Sequence, residues 1–263
     1  MSKQIVLFDM DGTLTEPRQK FNPDILDDAL YSLTNKGIDI GIVTGSGLNY
    51  LKEQMGDWLQ QSACRYRTHL LPCNGTQYLK PPKRRTDEHT LIHQVSMESI
   101  IGDRQFRELV QKIIQLQSEI ILHPIPLSGH FIDYRGSMLN WCPIGRDASR
   151  PKREEFVQID KQLNLRNQYL SKLVETANTN GSIMVKLGGD TSFDIYPIGW
   201  DKTYALNHFE GYDVWFVGDR CDPTGNDYEL FKHCAEQGFR SISPEGTKKI
   251  IKHISKRIGD KNV

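Results

Sequence analysis

Cysteine, long apolar runs and an excess of charge of either sign are all scarce in this chain of 263 residues. The five cysteines are widely spaced and include no Cys-x-x-Cys pair, which argues against a zinc or redox motif and favours reduced structural thiols. No apolar run approaches the length of a membrane span, and no basic-then-apolar leader precedes the first strand, so we expect a soluble, cytoplasmic protein. Basic and acidic residues both number 33, so the overall charge indicates neither a nucleic-acid nor a membrane partner.

The first apolar segment ends in a pair of aspartates. Residues 5–8 have the length of a buried parallel strand, and Asp9 and Asp11 follow at a turn that contains Gly12. In open α/β sheets ligands bind at the carboxyl ends of the strands. At this spacing one carboxylate can attack phosphorus while the other protonates the leaving oxygen, and both can help to hold Mg²⁺. A solvated turn is the alternative, because Asp and Gly are common turn residues.

A helix and a second strand follow. Residues 23–36 are predicted to be helical, with Asn22 as the N-cap and Gly37 as the stop signal. Residues 38–43 then form a short apolar strand, and this order predicts a right-handed crossover in a parallel sheet. Thr44 would lie at the same sheet edge as the aspartate pair, where its hydroxyl could donate to a phosphate oxygen. A simple turn with a helix cap is the alternative interpretation.

A basic, proline-containing run at residues 80–85 marks the first predicted domain boundary. Such a run could bind nucleic acid, but a short charged stretch with prolines is usually a solvated linker. Beyond it, helical stripes alternate with strands of antiparallel character. We therefore predict a first core segment at residues 1–85, an inserted α+β domain at 86–197 and a second core segment at 198–263.

Three arginines accompany a predicted hairpin in the inserted domain. Residues 130–146 alternate in polarity around the pair 136–137, which is typical of two antiparallel strands. We expect Arg135 and Arg146 on its two strands and Arg153 at the start of the next helix. A guanidinium offers a planar fork of donors that suits phosphate, although scattered surface arginines would give the same spacing.

The last third of the chain supplies a lysine and a second acidic group. Lys202 is a candidate point charge that could hold a phosphate and offset the charge of an attacking carboxylate. Residues 214–217 are predicted to form a short strand, and Asp219 at its end is a candidate metal ligand. Asn226 and Asp227 would return to the same site through the intervening loop. Each of these residues alone would be an ordinary loop residue.

Longer motifs link these residues to a known family. D-M-D-G-T-L-T, followed by the hydroxyl, the lysine and the acidic loop, resembles the haloacid dehalogenase superfamily of phosphotransferases. Four further stretches resemble the eukaryotic-type phosphomannomutases within it: T-E-P-R-Q, F-I-D-Y-R-G-S-M-L-N-W-C-P-I-G-R, S-F-D-I-Y-P-I-G-W-D-K and G-D-x-x-x-P-x-G-N-D-Y-E. The matches extend over both predicted domains.

The resemblance implies an α/β fold, with a Rossmann-like core built on a parallel sheet and an inserted α+β cap. It implies an Mg²⁺-dependent interconversion of mannose 6-phosphate and mannose 1-phosphate, through an aspartyl-phosphate and a hexose 1,6-bisphosphate activator. It also implies a homodimer that forms through the cap and a role in GDP-mannose biosynthesis.

The resemblance assigns roles to individual residues. Asp9 corresponds to the nucleophile, Asp11 to the general acid and base, and Lys202 to the core lysine. Asp219 and Asp227 match metal-site positions and join the aspartate pair there. Together with the hydroxyl of Thr44, the predicted substrate contacts are Arg18, Arg135, Arg146, Arg153, Ser192 and Asp194.

The chain also departs from the family pattern. Cys73-Asn74-Gly75 stands where the family has E-N-G, Thr44-Gly45-Ser46 stands for G-G-S, and the segment before the middle motif is longer. Thr44 is the hydroxyl that hydrolytic relatives commonly carry, so an Mg²⁺-dependent sugar-phosphate phosphatase is the alternative function. A non-catalytic sugar-phosphate binder is a further alternative, which the complete set of nucleophile, acid, lysine and metal residues disfavours.

Overall fold

The computed structural model describes residues 2–177 and 181–260. It divides into two compact units. The core unit comprises Met1–Gln94 and Asp201–Val263, and the cap unit comprises Val95–Trp200. No helix in the described residues is long and apolar enough to cross a bilayer.

Strands and helices alternate along the chain. The strands are β1 (Lys3–Phe8), β2 (Asp39–Val43), β3 (Thr68–Leu71), β4 (Gln77–Lys80), β5 (Thr90–Gln94), β6 (Ile132–Tyr134), β7 (Leu139–Trp141), β8 (Ile183–Gly188), β9 (Ser192–Pro197), β10 (Tyr212–Gly218) and β11 (Gly238–Arg240). The helices are α1 (Pro23–Thr34), α2 (Leu48–Gln61), α3 (Met97–Ile101), α4 (Asp103–Ile120), α5 (Arg150–Leu163), α6 (Leu165–Ala177), α7 (Tyr228–Cys234) and α8 (Pro244–Asp260).

The core unit contains a seven-stranded sheet in the order β11-β10-β1-β2-β3-β4-β5. The five strands from β11 to β3 are parallel, and β4 and β5 are antiparallel to their neighbours. The side chains at residues 5–8 in β1 are fully buried, as a central strand covered on both faces requires. The predicted α/β class with a parallel sheet is therefore confirmed.

Helix α1 begins as its sequence predicts. The side chain of Asn22 accepts a hydrogen bond from Asp24 N at 3.1 Å, which caps one of the free N–H groups of the first turn. The helix ends at Thr34, and two further turns close on Gly37, whose φ of +83° is accessible to glycine without strain. The prediction extended the helix into these closing turns.

The first domain boundary lies beyond the predicted position at residue 85. Strand β5 pairs antiparallel with β4, so the segment up to Gln94 belongs to the core sheet. The preceding basic run is also fixed, because the buried guanidinium of Arg65 donates to the backbone oxygens of Arg85 and Asp87. The amino-acid composition of the basic run does not reveal such contacts, because they are made by backbone carbonyl groups. The second boundary lies after Trp200, close to the predicted residue 197.

The cap unit contains a four-stranded antiparallel sheet in the order β6-β7-β9-β8. Leu139 and Trp141 on β7, and Phe193 and Ile195 on β9, are buried in an apolar cluster to which the cap helices also contribute. Residues that alternate with them therefore point to the opposite face of the sheet.

Two details of the cap differ from the prediction. The hairpin forms, but its strands are short, so Arg135 lies just after β6 and Arg146 in the loop beyond β7, whereas Arg153 lies in the first turn of α5 as expected. The predicted second helical stretch is divided into α5 and α6 at Asn164, which adopts the left-handed conformation.

Candidate active site

Two neighbouring parallel strands bring Asp9 and Asp219 to the same edge of the core sheet. Asp9 follows β1 and Asp219 follows β10, and the β1–β10 pairing continues into the site because Asp9 N donates to Val217 O at 2.9 Å. Asp9 is 5% exposed. The site thus lies at the carboxyl edge of the parallel sheet, where the sequence placed it.

Lys202 lies between two of the carboxylates. It opens a 3-10 helix at Lys202–His208, whose N-terminus is capped by the side chain of Asp201. The lysine side chain is 1% exposed, and its ammonium donates to Oδ1 of Asp9 and to Oδ1 of Asp227, the latter at 2.5 Å. Because Asp227 is fully buried, this contact is shielded from solvent on all sides.

Two glycines allow the acidic side chains to approach the backbone. A Cβ at Gly12, where φ is +86°, would lie 2.6 Å from Oδ2 of Asp219, and a Cβ at Gly218 would lie 2.6 Å from Oδ2 of Asp227. Neither distance can be accommodated without moving the carboxylate. The other face of the Asp227 carboxylate is fixed by Arg220 N, which donates to Oδ2 at 2.9 Å.

The electrostatics of this cluster indicate unbalanced negative charge. One oxygen each from Asp9, Asp219 and Asp227 lies within 4.8 Å of the others. Burial raises the pKa of Asp9 well above its usual range, an effect that Asp227 and Asp219 strengthen and Lys202 opposes. Burial, with repulsion from Asp227, also raises the pKa of Asp219 to about 6. Although burial alone favours the neutral amine, the two carboxylates in contact with Lys202 raise its pKa above the ordinary value.

A divalent cation fits this arrangement. Three carboxylates face one ammonium, so a cation would compensate the remaining charge and restore the ionised form of Asp9. Carboxylate oxygens are the ligands that Mg²⁺ prefers, with phosphate and water completing its shell. In addition, the buried Oδ1 of Asn226, next to Asp227, has no hydrogen-bond partner among the described residues. The residues present therefore fit Mg²⁺.

Asp11 is not one of the three clustered carboxylates. Its Oδ1 accepts hydrogen bonds from Arg18 N at 2.9 Å and from Tyr50 Oη at 3.0 Å. Arg18 thus meets the aspartate through its backbone, at a residue with φ of +61°. Tyr50 lies on α2 and was not predicted, because an aromatic residue within an amphipathic helix is ordinarily a packing residue.

Thr44 lies at the end of β2 and is buried. Its Oγ1 accepts a hydrogen bond from Ser46 N at 3.1 Å. The hydroxyl therefore also stabilises the turn before α2, which is the structural role that the sequence offered as the alternative to phosphate binding. Helix α2 begins immediately afterwards with Gly47 as N-cap, and no side chain caps its first N–H groups. This edge of the core sheet therefore presents donors that suit an anion.

The cap residues form one connected polar network. The strand register aligns Asp133 on β6, Asn140 on β7, Asp194 on β9 and Lys186 on β8 in a row across the sheet. Nδ2 of Asn140 donates to Oδ1 of Asp194 at 2.7 Å and to Oγ of Ser192 at 3.1 Å. This row lies on the face opposite the apolar cluster.

All three predicted cap arginines join the network. Arg135 donates from Nε to Asp133, and Arg146 donates from Nη1 to Oδ1 of Asn140 at 2.8 Å. Arg153 donates to Oγ1 of Thr191 and to the backbone oxygen of Arg146, both at 2.7 Å. The structure therefore brings the predicted cap residues together.

The network also contains residues that were not predicted, among them Asp133 and Asn140. The sequence did contain a signal for them, because both alternate with apolar residues that face the cap core. That alternation places a polar residue on each strand of the hairpin at the same level of the sheet.

Comparison with known proteins identifies the family that shares these residues. The family model described as eukaryotic phosphomannomutase matches residues 26–257, which is most of the chain. The chain belongs to the eukaryotic phosphomannomutase family. The predicted resemblance is thus confirmed.

Individual phosphomannomutases match over nearly their whole length. The chain is 35% identical to the phosphomannomutase of Encephalitozoon cuniculi over 260 residues, which covers 98% of this chain and 95% of that protein. It is 34% identical to that of Dendrobium officinale, covering 97% and 96% of the two chains. The Arabidopsis thaliana phosphomannomutase is also 34% identical, with coverage of 92% and 93%.

Solved structures with little sequence similarity share the fold. A Plasmodium falciparum IMP-nucleotidase structure superposes with a TM-score of 0.62 at 15% identity, covering 95% of this chain and 68% of that one. The structure of SMU.1108c from Streptococcus mutans gives a TM-score of 0.58 at 16% identity and covers 96% and 99% of the two chains. At these identities the comparison concerns the fold alone.

The stretch Cys73-Asn74-Gly75, which stands where the phosphomannomutase family has E-N-G, forms a tight connection beside the site. Cys73 and Asn74 both adopt positive φ, and Asn74 N donates to Thr44 O at 2.8 Å. A Cβ at Gly75 would lie 2.7 Å from Cα of Ala205, in the same 3-10 helix that Lys202 opens. Gly75 of this stretch thus packs directly against the element that carries the lysine.

Proposed function

We propose that this protein is an Mg²⁺-dependent phosphohexomutase that interconverts mannose 6-phosphate and mannose 1-phosphate, with a hexose 1,6-bisphosphate as activator. The observation that carries the proposal is the buried Asp9 carboxylate, held by Lys202 within a cluster that includes Asp219 and Asp227. Membership of the phosphomannomutase family supports the choice of substrate.

In the proposed reaction the two aspartates of the first motif divide the chemistry. An Asp9 oxygen attacks the phosphorus of the bisphosphate, the bond to the sugar oxygen breaks, and Asp11 supplies the proton that this oxygen takes up. An aspartyl-phosphate and a hexose monophosphate result. In the reverse half, Asp11 removes the proton from the free hydroxyl of the isomeric hexose monophosphate, and the oxygen of this hydroxyl attacks the aspartyl-phosphate. The bond between phosphorus and Asp9 breaks, so the bisphosphate re-forms and the Asp9 carboxylate is released.

Positive charge is needed at the nucleophile to favour its ionised form. Burial favours the protonated form of Asp9, and Lys202 opposes this by donating to the same carboxylate. When bound, Mg²⁺ would supply a further positive charge to stabilise the phosphoryl oxygens. Asp219, Asp227 and Asp9 are the residues we propose to hold it, and Asp11 would contribute to the metal site from the same loop.

A mutase needs a second phosphate site, and the cap provides residues for it. A bisphosphate has one phosphoryl group at the nucleophile and the other at a distant cationic site, whereas a phosphatase requires only the first. Arg135, Arg146 and Arg153 lie in one network and can bind the distal phosphate, with Ser192 and Asp194 as sugar contacts. In the core unit, Arg18 and Thr44 are the proposed contacts to the substrate.

The experiment that tests this function follows two products of mannose 1-phosphate in parallel. Isomer conversion is measured with and without a hexose 1,6-bisphosphate, and release of inorganic phosphate is measured in the same samples. We expect Mg²⁺-dependent conversion that the bisphosphate accelerates, with little phosphate released. Free phosphate without mannose 6-phosphate would instead support the sugar-phosphate phosphatase, and neither product would support a binding protein.

We also propose a homodimer that forms through the cap. Strand β6 is an edge strand of the cap sheet, and the half-buried Phe131 directly precedes it. An aromatic residue beside an edge strand is a suitable anchor for a two-fold interface. The family resemblance further supports a cytoplasmic role in GDP-mannose biosynthesis.

A further inference from the structure

We propose that Asp133 is a positioning residue that holds the guanidinium groups of Arg135 and Arg146 in the orientation needed to bind the distal phosphate. The inference rests on the proposed function, because it concerns the phosphate site assigned to the cap. It adds to that site a residue that itself has no attraction for phosphate.

One carboxylate oxygen is shared by the two arginines. Oδ2 of Asp133 accepts a hydrogen bond from Nε of Arg135 at 2.9 Å and lies 3.5 Å from Nε of Arg146. The side chains are 6% exposed for Arg135, 18% for Arg146 and 26% for Asp133, so the contacts are partly shielded from water. Since two guanidinium groups repel each other, a shared carboxylate stabilises their approach.

The second acceptor for Arg146 comes from the neighbouring strand. Asn140 is the register partner of Asp133 across the hairpin, and its Oδ1 accepts from Nη1 of Arg146 at 2.8 Å. The amide of Asn140 is fixed in turn, because its Nδ2 donates to Asp194. Arg146 therefore contacts two side chains of one rigid row, through Nε and through Nη1. A phosphate-binding fork that is fixed in advance loses less conformational freedom on binding.

The effect of the Asp133 charge on an anion distinguishes positioning from simple electrostatics. A carboxylate beside a phosphate site repels the phosphate, so if Asp133 acted only through its charge, its removal would tighten anion binding. If Asp133 positions the arginines, its removal frees them and weakens binding. The two hypotheses predict changes of opposite sign.

Calorimetric titration with mannose 1-phosphate tests this on the full-length protein with Mg²⁺ present. The test variant is Asp133→Asn. The matched control is Asp160→Asn, elsewhere in the cap, where Oδ2 of Asp160 accepts a hydrogen bond from Nε of Arg166 at 2.7 Å. We expect Asp133→Asn to raise the Kd by about tenfold or more, the size of one charge-assisted bond, and to raise the KM with it. We expect Asp160→Asn to bind like the wild type.

A second variant covers the case in which Asp133→Asn perturbs folding, as judged by the Tm. Asp133→Glu keeps the charge but moves the carboxylate by one methylene, so weaker binding by this variant reports position rather than charge. Unchanged or tighter binding by both variants would overturn the proposal, and so would an equal loss in Asp160→Asn.

These outcomes separate the inference from the proposed function. If the wild type does not isomerise mannose 1-phosphate but the Asp133 variants still bind it more weakly, the mutase assignment fails and the positioning role stands. If the wild type isomerises and the variants bind as tightly as before, the positioning role fails alone.

Discussion

The ammonium of Lys202 donates to the carboxylate of Asp227 at 2.5 Å, in a contact that is closed to solvent. The sequence indicated Lys202 as a charge that holds phosphate and Asp227 as a metal ligand, with no reason to join them. Their contact gives the lysine a structural role, since it also donates to Asp9 and thereby links the nucleophile to the acidic loop.

The first prediction is that Lys202→Met strongly destabilises the metal-free protein. Asp9 and Asp227 would be left buried without a counter-charge, and breaking a buried ion pair in this way costs about 3 to 5 kcal/mol. Mg²⁺ should recover part of this loss because it supplies positive charge to the same carboxylates. Urea unfolding with and without Mg²⁺ measures both effects.

The matched control for this substitution is Lys20→Met, which breaks the exposed Lys20–Asp57 pair of the same unit. An exposed pair contributes at most about 1 kcal/mol, so this variant should unfold nearly as the wild type does. Equal stability of the two variants would contradict the structural role of Lys202.

The second prediction is that Arg146→Ala lowers isomer conversion far more than it lowers hydrolysis of p-nitrophenyl phosphate. A small phosphoester has one phosphoryl group and does not require the distal site. The lost charge-assisted bond should weaken hexose phosphate binding by about 1.5 to 3 kcal/mol. Arg150→Ala, which removes an exposed arginine of the same cap helix as Arg153, is the control. A parallel fall in both activities of Arg146→Ala would favour the phosphatase.

The core site was largely predictable from the sequence because each of its residues follows a recognisable apolar strand or lies in a motif. Asp9 and Asp219 are held by the two neighbouring strands that precede them, so finding the strands located the carboxylates. Strand β5 was not predicted as part of the core sheet. Its side chains are mostly exposed, and its place in the sheet depends on pairing with β4.

Contacts that depend on side-chain direction could not be predicted in the same way. Tyr50 reaches Asp11 from the side of a helix, and nothing in the helical pattern distinguishes it from a packing residue. The connection of Asp133 to Arg146 depends on the loop beyond β7, which turns the arginine back toward the hairpin. The predicted position of Arg146 on the strand was wrong for the same reason.

The third prediction concerns stability at mildly acidic pH. Burial lowers the pKa of His208, and the nearby His93 and His69 lower it further, against the opposing effect of its hydrogen bond to Gly75 O at 2.7 Å. The unfolded chain therefore takes up this proton first as the pH falls below about 6.5. The stabilising contribution of His208 is thus present above that pH and is lost as the pH falls toward the lowered pKa.

The free energy of unfolding, measured from pH 7.5 to 5, should accordingly decrease less steeply in His208→Gln than in the wild type. The exposed His233 offers a control, and His233→Gln should retain the wild-type slope. If the free energy of unfolding of His208→Gln had the same pH dependence as that of the wild type and of His233→Gln, protonation of His208 would not be coupled to folding.

The fourth prediction is that Phe131→Asp dissociates the proposed dimer. A carboxylate at this position would have to be desolvated in an apolar interface, which is costly. Analytical ultracentrifugation at micromolar concentration should give a dimer for the wild type and a monomer for the variant. Ile242→Asp, at an exposed apolar residue of the core unit, should leave the dimer intact. A monomeric wild type, or a dimeric Phe131→Asp, would contradict the proposal.

In the proposed reaction the Asp9 carboxylate forms a covalent bond to phosphorus. This step is tested by ³¹P NMR of mannose 1-phosphate with Mg²⁺ and a hexose 1,6-bisphosphate, for the wild type, Asp9→Asn and Asp11→Asn. An amide at position 9 cannot attack phosphorus, whereas an amide at position 11 removes only the proton transfer. We expect mannose 6-phosphate from the wild type, slow conversion by Asp11→Asn and no conversion by Asp9→Asn. Retained turnover in Asp9→Asn would contradict the proposed covalent step.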